Sequence, residues 1–328
     1  MRSTTFLHKQ RIEALKKCLS TDWLLVEDPT NLYYLTGLNL SKGRLYVSAG
    51  QVVLMVDHRY FELASRTVPY EVVPWGDYFL KGKVAFESDL TTYESYLMLK
   101  KAYPHIKGIL SPTHEIRAVK DKTELSLLQE SATLLNQAYR YIRKKLKVGI
   151  SEKEISRAFY AYTHQIADGP SFEPIVAFGE NGSMPHYRSG NTILKENMAV
   201  LLDLGVKHQG YCSDMTRMVT FGVIPKKIEE ALKLVKKAKK QAENALAAGG
   251  TLGGLQDIAK KALGDQEKYF VHSIGHGIGL DVHELPRKEV FKENMVITIE
   301  PGLYYPKIGG VRLEDMYVVT REGYQKLT

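Results

Sequence analysis

The spacing of apolar positions changes about one third of the way along the chain. In the first part, short apolar runs such as Trp23–Val26 and Val52–Asp57 are bounded by turn-forming residues, for example Asp28-Pro29. Runs of this length between turn formers predict strands, here mixed with helices. From Lys120 to Lys147 the apolar residues instead recur every three or four positions, which predicts a long amphipathic helix. We therefore place a domain boundary near residue 117.

The longer C-terminal part shows the pattern of a single mixed α+β domain. Gly149 can end the first long helix, and Ser151-Glu152-Lys153-Glu154 has the form of a capping box that begins a second one. Strands are predicted over Pro174–Phe178 and Met198–Val206, and a lysine-rich helix is predicted from about Pro225 to Leu246. Strands and glycine-rich turns alternate after that helix. This order predicts long helices that cover a largely antiparallel sheet.

Acidic residues interrupt two of the apolar strands that a turn connects. Asp203 follows the apolar run 199–202, and Asp214 lies in the run 211–221. A turn symmetric about the His208–Gln209 bond would place the two aspartates directly opposite each other. Opposed side chains on paired strands have Cβ atoms only ~4.5–5.5 Å apart, and like charges there are destabilising. We therefore expect a positive group between the two carboxylates.

A second pair of carboxylates follows the same pattern nearer the C-terminus. Glu300 ends an apolar strand and Glu314 lies in the next one, with a connection centred on Lys307. A hairpin with that centre would place the two glutamates opposite each other. Two carboxylates that share a site hold a proton with one strongly raised pKa unless a cation intervenes. Two hairpins that each present such a pair indicate a metal cage.

A nitrogen ligand is available in a glycine-rich segment between the two hairpins. Three of the ten histidines fall within twelve residues there, at His272, His276 and His283. Four carboxylates and one imidazole suit Mn²⁺, Co²⁺, Fe²⁺ or Zn²⁺ better than Cu⁺. The charge of about −4 on four ionised carboxylates would be balanced by two divalent ions. The pattern therefore predicts a two-metal site.

The five predicted ligands stand in recognisable sequence contexts. These are Asp-Leu-Gly at Asp203, Ser-Asp-Met-Thr-Arg at Asp214, Gly-His-Gly-Ile-Gly-Leu at His276, Ile-Glu-Pro-Gly at Glu300 and Arg-Leu-Glu-Asp at Glu314. Together they resemble the dinuclear metallopeptidases of the pita-bread fold, most closely the proline peptidases aminopeptidase P and prolidase. The first 117 residues resemble, more weakly, the small α/β domain that precedes the catalytic domain in creatinase and proline peptidases. The resemblance implies an N-terminal domain over 1–117 and a pita-bread catalytic domain over 118–328.

The resemblance also implies a role for each ligand. Asp203 would hold one metal, Asp214 and Glu314 would bridge both, and His276 with Glu300 would complete the other. In the family a metal-bridging hydroxide is the nucleophile, in keeping with the ability of such ions to lower the pKa of water to near neutrality. Glu300 would also act as general base for that water.

Further residues match family positions around the metals. His186 and His283 would bind the substrate carbonyl and stabilise the tetrahedral intermediate, as preorganised donors do at a developing oxyanion. His272 would shape the proline pocket, and Arg312 would tether an acidic ligand from outside the metal shell. Tyr304 would either reach the active site or serve only in packing.

The implied function is metal-dependent hydrolysis of the peptide bond that precedes proline, by a cytoplasmic enzyme with two divalent ions, Mn²⁺ being the foremost expectation. The substrate would be an Xaa-Pro dipeptide or a peptide with proline in second position, and Arg287 could bind the free carboxylate of a dipeptide. The alternatives are a methionine aminopeptidase, a creatinase-like enzyme acting on a C–N bond outside peptides, and a non-catalytic binding protein of the same fold. A homodimer is the family expectation.

The composition of the chain bears on whether it binds nucleic acid or membranes. The chain has 45 Lys+Arg against 37 Asp+Glu, a formal net charge of +8, which by itself would allow nucleic acid or an anionic membrane as partner. The lysines of residues 226–240 alternate with apolar residues, however, which predicts the solvated face of a helix, and no nucleic-acid-binding motif accompanies them. Neither a signal-peptide pattern nor a membrane-spanning run is present. We expect a cytoplasmic protein that binds neither nucleic acid nor membrane.

Overall fold

The structure is a computed structural model that describes residues 2–76, 78, 80–284 and 290–328, with side chains from His8 onward. Its contacts divide the chain into two compact units, Met1–Arg117 and Ala118–Thr328. Among the helices in the described ranges, none is long and apolar enough to cross a bilayer.

The N-terminal unit contains a six-stranded mixed sheet. Its helices are α1 (Arg2–Lys16), α2 (Pro29–Thr36), α3 (His58–Thr67), α4 (Tyr93–Ala102) and α5 (Pro112–Ala118), and its strands are β1 (Trp23–Val26), β2 (Gly43–Val47), β3 (Val52–Val56), β4 (Glu71–Pro74), β5 (Val84–Glu87) and β6 (Lys107–Ile109). The strand order is β4-β3-β2-β1-β5-β6, with parallel pairs at β3–β4, β1–β5 and β5–β6. Parallel strands need crossover connections, which α3 and α4 supply here. The predicted α/β character of this unit is confirmed.

The C-terminal unit packs four long helices against small antiparallel sheets. The helices are α6 (Lys122–Lys145), α7 (Glu152–Ile166), α8 (Lys226–Asn244) and α9 (Leu252–Leu263), and the strands are β7 (Gly169–Pro170), β8 (Ile175–Phe178), β9 (Met198–Leu204), β10 (Val206–His208), β11 (Tyr211–Cys212), β12 (Met215–Phe221), β13 (Val296–Ile299), β14 (Gly302–Tyr305), β15 (Gly309–Arg312), β16 (Asp315–Val319) and β17 (Tyr324–Lys326). The pairings β12–β9–β8, β13–β16–β17 and β14–β15 are all antiparallel. This architecture confirms the predicted α+β fold with an antiparallel sheet covered by helices.

Two helix starts follow directly from local sequence. Ser151 and Glu154 form the predicted capping box at the start of α7, with Ser151 Oγ accepting from the backbone of Glu154 and Glu154 accepting from the backbone of Ser151. Asp121 and Glu124 form a second box, so α6 begins at Lys122 rather than at Lys120. Such reciprocal bonds satisfy backbone donors that a helix start leaves free.

The helices bury one face of the strands that lead to the acidic residues. Helices α6 and α7 pack Leu135 and Phe159 against Val176 and Val200 of β8 and β9. Helices α8 and α9 form a second core with the apolar residues of β13 and β16. Because side chains alternate between the two faces of a strand, this burial leaves the opposite face for the polar residues.

One lysine of the predicted solvated face of α8 is buried instead. Lys239 is 7 % exposed, and its ammonium group donates to Glu243 and Tyr317 at 2.6 Å each and also to Asp315. It follows Val235 by one turn and therefore lies at the edge of the apolar stripe that faces the sheet. The prediction is wrong at Lys239, whereas the lysines at 233, 236, 237 and 240 are exposed.

Candidate metal centre

The first acidic hairpin differs in register from the prediction. Thr216, not Asp214, lies opposite Asp203 in the β9–β12 ladder, and His208 lies opposite Tyr211 near the turn. The turn therefore consists of Gln209 and Gly210, with φ values of 47° and 85°. Two-residue hairpin turns favour positive φ at both positions, which glycine adopts freely in the second. The predicted turn centre at His208–Gln209 is wrong by one residue, and the predicted opposition of Asp203 and Asp214 is wrong.

Asp203 and Asp214 nevertheless lie close together. Asp214 directly precedes β12, and the charge of Asp203 is among those that raise its pKa. Asp214 is thus a neighbour of Asp203 rather than its direct partner in the ladder. Asp214 is 5 % exposed and Asp203 is 8 % exposed.

The second acidic hairpin has the predicted register. Ile299 lies opposite Asp315 and Gly302 lies opposite Arg312, so the pairs on both sides bring Glu300 and Glu314 opposite each other. The prediction for this hairpin is confirmed. Lys307 at its centre has a φ of 62°.

The histidine segment runs alongside β13 and reaches the same place. Thr298 N donates to His276 O at 2.8 Å, and Glu300 N donates to Ile274 O at 2.7 Å. A Cβ atom on Gly275 would lie 2.0 Å from the carbonyl oxygen of Thr298, so only glycine allows this approach. The approach places His276 Nε2 3.7 Å from Asp214 Oδ2 and 3.6 Å from Glu300 Oε1.

The donor atoms that converge here fit a metal ion. One ligand atom from each of Asp214, His276 and Glu314 lies within 4.8 Å of the others. Three buried oxygens, Asp203 Oδ1, Asp214 Oδ1 and Glu314 Oε1, have no hydrogen-bond partner among the described residues. Burying charged oxygens without partners is costly unless they are paired or coordinate metal. The oxygen-rich set with one imidazole suits the borderline divalent ions predicted from the sequence.

Burial and mutual repulsion raise the pKa values of the carboxyl groups. Loss of solvent and the charges of Glu314, Asp203 and Glu300 raise the pKa of Asp214, while loss of solvent and Glu314 raise that of Glu300. Burial together with Asp203 raises the pKa of Glu314 to about 7. A divalent ion would oppose all of these shifts, since an opposite charge favours the ionised form.

Burial lowers the pKa of the His276 imidazole, whereas it raises the pKa values of the carboxyl groups. The pKa of His276 is lowered to about 4, chiefly through burial and secondly through the neighbouring His283. His276 is therefore neutral at neutral pH, the form in which an imidazole nitrogen can coordinate a metal.

Arg312 holds several of these groups in place. Its side chain, 4 % exposed, donates from Nη2 to Asp203 Oδ2 at 2.6 Å and from Nε to Thr216 Oγ1 at 3.0 Å. Burial alone would lower its pKa, but Tyr304 and the surrounding carboxylates outweigh that effect and raise it. Arg312 thus contributes a fixed positive charge beside four carboxylates.

A hydrogen-bonded chain connects Arg312 to His272. Arg312 Nη1 donates to the hydroxyl of Tyr304 at 2.8 Å, and that hydroxyl lies 2.8 Å from His272 Nε2. His272 Nδ1 lies 2.7 Å from the carbonyl oxygen of Ser273 and donates to it, so Nε2 accepts from Tyr304. The chain fixes one tautomer of His272, and burial lowers its pKa to about 4.

A cavity of about 850 Å³ opens onto the carboxylates and collects most of the predicted site. Its lining includes His186, Asp203, Asp214, His272, His276, His283, Glu300, Arg312 and Glu314. His186 and His283 are exposed, and the ring centroid of His283 is 4.3 Å from that of His276. Tyr304 lies behind this lining at 4 % exposure, and Arg287 falls in 285–289, outside the described residues.

Two polar residues near the cavity were missed by the sequence reasoning. Thr216 donates from Oγ1 to Glu314 Oε2 at 2.7 Å, and the only sequence signal is its position two residues after Asp214. Glu152, interpreted only as part of a helix start, is fully buried and accepts from four donors of the 178–190 segment. The local sequence does not indicate that Glu152 is buried, because the residues that bury it belong to a segment that follows α7.

Two known sequence families match the chain in succession. Residues 9–119 match the creatinase/prolidase N-terminal domain, and residues 126–321 match metallopeptidase family M24.

Individual relatives extend over nearly the whole chain. An Xaa-Pro dipeptidase of Pyrococcus furiosus is 31 % identical over 340 residues, covering 98 % of this chain and 98 % of its own. Among solved structures, an Xaa-Pro dipeptidase from Bacillus anthracis superposes with a TM-score of 0.92 at 30 % identity, covering 98 % of this chain and 97 % of the other. An X-Pro aminopeptidase from Thermotoga maritima superposes with a TM-score of 0.86 at 26 % identity, covering 97 % of each chain.

Proposed function

Because the chain belongs to metallopeptidase family M24, we propose that this enzyme hydrolyses the peptide bond that precedes proline, with two divalent metal ions in the acidic cavity of its C-terminal unit. The proposal is supported by the relatives of nearly equal length that are named Xaa-Pro dipeptidase. The family membership itself implies a divalent metal.

The observation that carries this proposal is the set of three buried carboxylate oxygens without partners. They belong to Asp203, Asp214 and Glu314, which lie on two different hairpins. A protein that bound no cation here would bury these oxygens at a cost of about 1–3 kcal/mol each, and more where they are ionised. A structural role in packing does not explain that arrangement, whereas a bound cation does.

Each ligand receives a role in this proposal. Asp203 would hold one ion, Asp214 and Glu314 would bridge both, and His276 with Glu300 would complete the second site. Manganese is the ion we propose, because four carboxylates form a mostly hard, oxygen-rich set. Cobalt, zinc and iron are the alternatives that metal analysis would distinguish.

The bound ions would supply water that is deprotonated near neutral pH. Glu300 would accept the proton at its carboxylate, which lines the cavity beside His276. His186 and His283, exposed on the same cavity, would donate hydrogen bonds to the substrate carbonyl as negative charge develops on its oxygen. The Arg312–Tyr304–His272 chain would hold the wall of the cavity next to Glu300, since His272 Nδ1 lies 3.9 Å from Glu300 Oε2.

The assignment as a dipeptidase rather than an aminopeptidase is also part of the proposal. A dipeptidase must recognise a free carboxylate next to proline, and the cavity contains arginine side chains that could do so. Hydrolysis of Ala-Pro and of Ala-Pro-Ala by the purified enzyme tests this assignment. Cleavage of the tripeptide without the dipeptide would contradict it and favour the aminopeptidase activity that the Thermotoga maritima structure is named for.

Removal of the metal tests the proposed activity as a whole. Enzyme stripped with a chelator should lose Ala-Pro hydrolysis and regain it with Mn²⁺. A protein that binds no divalent ion and cleaves no Xaa-Pro substrate would instead be a binding protein of the same fold. We further propose a homodimer, which the mass of the native particle in solution would test.

A further inference from the structure

The loop that follows His276 carries His283 on its exposed side. The ring of His283 is exposed, and its centroid lies 4.3 Å from that of the His276 ring. An exposed side chain makes few packing contacts, so its position depends mainly on the backbone that carries it. The contacts that hold this backbone come from Glu284, the next residue along the chain.

Glu284 closes the loop on itself. Its Oε1 accepts from the backbone N–H of Leu280 at 2.8 Å and from that of Asp281 at 3.3 Å. The backbone N–H of Glu284 donates to the carbonyl oxygen of Gly277 at 2.8 Å. His283 therefore lies in a loop whose first and last residues are joined by hydrogen bonds.

Gly279 allows the carboxylate of Glu284 to approach the loop backbone. A Cβ atom at Gly279 would lie 2.5 Å from Glu284 Oε2, so a larger residue would displace the carboxylate. The carbonyl oxygen of Gly279 accepts from Cys212 N at 2.7 Å. This bond attaches the loop to β11, two residues before Asp214. The loop is thus held to the first acidic hairpin as well as to itself.

The second oxygen of Glu284 pairs with a buried lysine. Lys120 Nζ lies 3.1 Å from Glu284 Oε2, and the two side chains are 1 % and 8 % exposed. The backbone N–H of Lys120 donates to Asn294 O at 3.0 Å, and its ammonium group also donates to Ala118 O at 3.3 Å. Removal of one partner from a buried ion pair leaves the other charge uncompensated. Without Lys120, the carboxylate would therefore move toward solvent and release the backbone N–H groups that it accepts from.

We propose that Lys120 and Glu284 are positioning residues, whose ion pair holds His283 where it can donate to the substrate carbonyl. This inference rests on the proposed function, which gives His283 that role. Both partners lie outside the cavity lining, so they act on the reaction through His283 and do not touch the substrate. Misplacement of a group at the reacting centre by about 1 Å can lower a rate about a hundredfold. An ion pair away from the chemistry can therefore determine kcat.

A double-mutant cycle in the manganese-loaded full-length enzyme separates positioning of His283 from a general effect on the fold. Lys120→Met should lower kcat for Ala-Pro about tenfold, with KM and metal content near their wild-type values. In the His283→Ala background the same substitution should change kcat by less than about twofold, because the group that it positions is absent. Lys122→Met, at an exposed position of α6, is the matched control and should leave kcat unchanged.

Equal losses of kcat in the wild-type and His283→Ala backgrounds would overturn the proposal, since they would indicate a role independent of His283. Loss of metal from Lys120→Met would also overturn it, because the ion pair would then act on the ligands. If Lys120→Met does not fold, Glu284→Gln replaces it in the cycle with the same expected coupling to His283→Ala. That variant keeps an oxygen for the backbone N–H of Leu280 and removes only the charge.

NMR spectra of the histidine rings test the placement of His283 without any assay of activity. In enzyme loaded with Zn²⁺, which is diamagnetic, the signals of His283 are those that disappear in His283→Ala. They should shift in Lys120→Met and stay in place in Lys122→Met. Unchanged His283 signals in Lys120→Met would overturn the proposal. A wild-type enzyme inactive on Ala-Pro at every metal content would contradict the proposed function instead, and the spectra would still decide whether the ion pair positions His283.

Discussion

Thr216 donates a hydrogen bond from its hydroxyl to Glu314 Oε2 at 2.7 Å, and so joins the two acidic hairpins. The hydroxyl oxygen of Thr216 in turn accepts from Arg312 Nε at 3.0 Å. Since Oε1 of Glu314 has no partner among the described residues, the threonine orients the carboxylate and leaves that oxygen for a ligand. Thr216, an uncharged residue of β12, thus orients the carboxylate of Glu314, which we propose as a bridging ligand.

Replacement of this hydroxyl should weaken metal binding. Thr216→Val keeps the shape of the side chain but removes the donor to Glu314, and changes of this kind outside the ligand shell reduce metal affinity by about 10–100-fold. Isothermal titration of the metal-free variant with Mn²⁺ measures the effect. Thr216→Ser retains the hydroxyl and is the matched control. Equal affinities of Thr216→Val and wild type would show that Glu314 is oriented without this bond.

The metal-free protein should become less stable as pH rises through neutrality. The pKa of Glu314 is raised to about 7, and those of Asp214 and Glu300 are also raised. A carboxyl group with a higher pKa in the folded than in the unfolded chain binds its proton more tightly when folded, so its ionisation destabilises the fold. The histidines His272 and His276, with pKa values lowered from 6.5 to about 4, act in the opposite sense below about pH 7, because in the unfolded chain they still bind protons there.

Thermal unfolding of the chelator-treated protein between pH 6.5 and pH 8 measures this dependence. Glu314→Gln keeps the histidines but cannot ionise at position 314, so the midpoint temperature of the wild type should fall with rising pH relative to that of Glu314→Gln. Added Mn²⁺ should stabilise the protein more at pH 8 than at pH 6.5, because protons then compete less for the ligands. A difference between the two midpoints that stays constant over that range would contradict the proposed repulsion among the carboxylates.

Measuring metal content together with the rate should distinguish variants of metal ligands from variants of other active-site residues. Glu314→Ala should lose nearly all metal and activity, since the residue would serve both ions. His283→Ala should keep its metal while kcat falls about a hundredfold, the effect typical of removing a donor at a developing oxyanion. Elemental analysis beside Ala-Pro kinetics distinguishes the two cases. A metal-free His283→Ala protein would identify this histidine as a ligand.

Glu152 should matter for stability far more than its place in a helix start indicates. Its carboxylate accepts from Phe178 N, Asn181 Nδ2, Tyr187 Oη and Gly190 N. Glu152→Gln replaces one acceptor oxygen with a donor and leaves buried N–H or O–H groups unsatisfied, at a cost of about 1–3 kcal/mol. Denaturant unfolding should show that loss, whereas Glu180→Gln at an exposed position should remain near wild type. A Glu152→Gln protein as stable as Glu180→Gln would mean that these bonds contribute little.

The sequence predicted the helices and the second hairpin well because their causes are local. The capping box at Ser151 and the three-to-four-residue spacing of α6 depend on neighbouring residues alone. In the second hairpin the paired residues of β14 and β15 are symmetric about Lys307, which is also the middle of the connecting turn. Family resemblance, rather than periodicity, supplied the choice of His276 over the other two histidines of its segment.

One error was local, and the others arose where distant parts of the chain decide the outcome. The turn at Gln209-Gly210 was displaced by one residue in the prediction, which shifts every partner across the first hairpin. Lys239 was assigned to solvent because its partner Asp315 is 76 residues away. Thr216 and Glu314 are 98 residues apart, so their contact could not be predicted from the local sequence either.

The dependence of activity on metal is tested most directly by titrating the metal-free enzyme with Mn²⁺ while Ala-Pro hydrolysis is recorded. A two-metal peptidase should show a rate that rises from the background level and saturates near two ions per chain. The same titration of Asp214→Ala should stay at background. Binding of two ions without any Ala-Pro hydrolysis, or full hydrolysis before any ion is added, would contradict a metal-dependent proline peptidase.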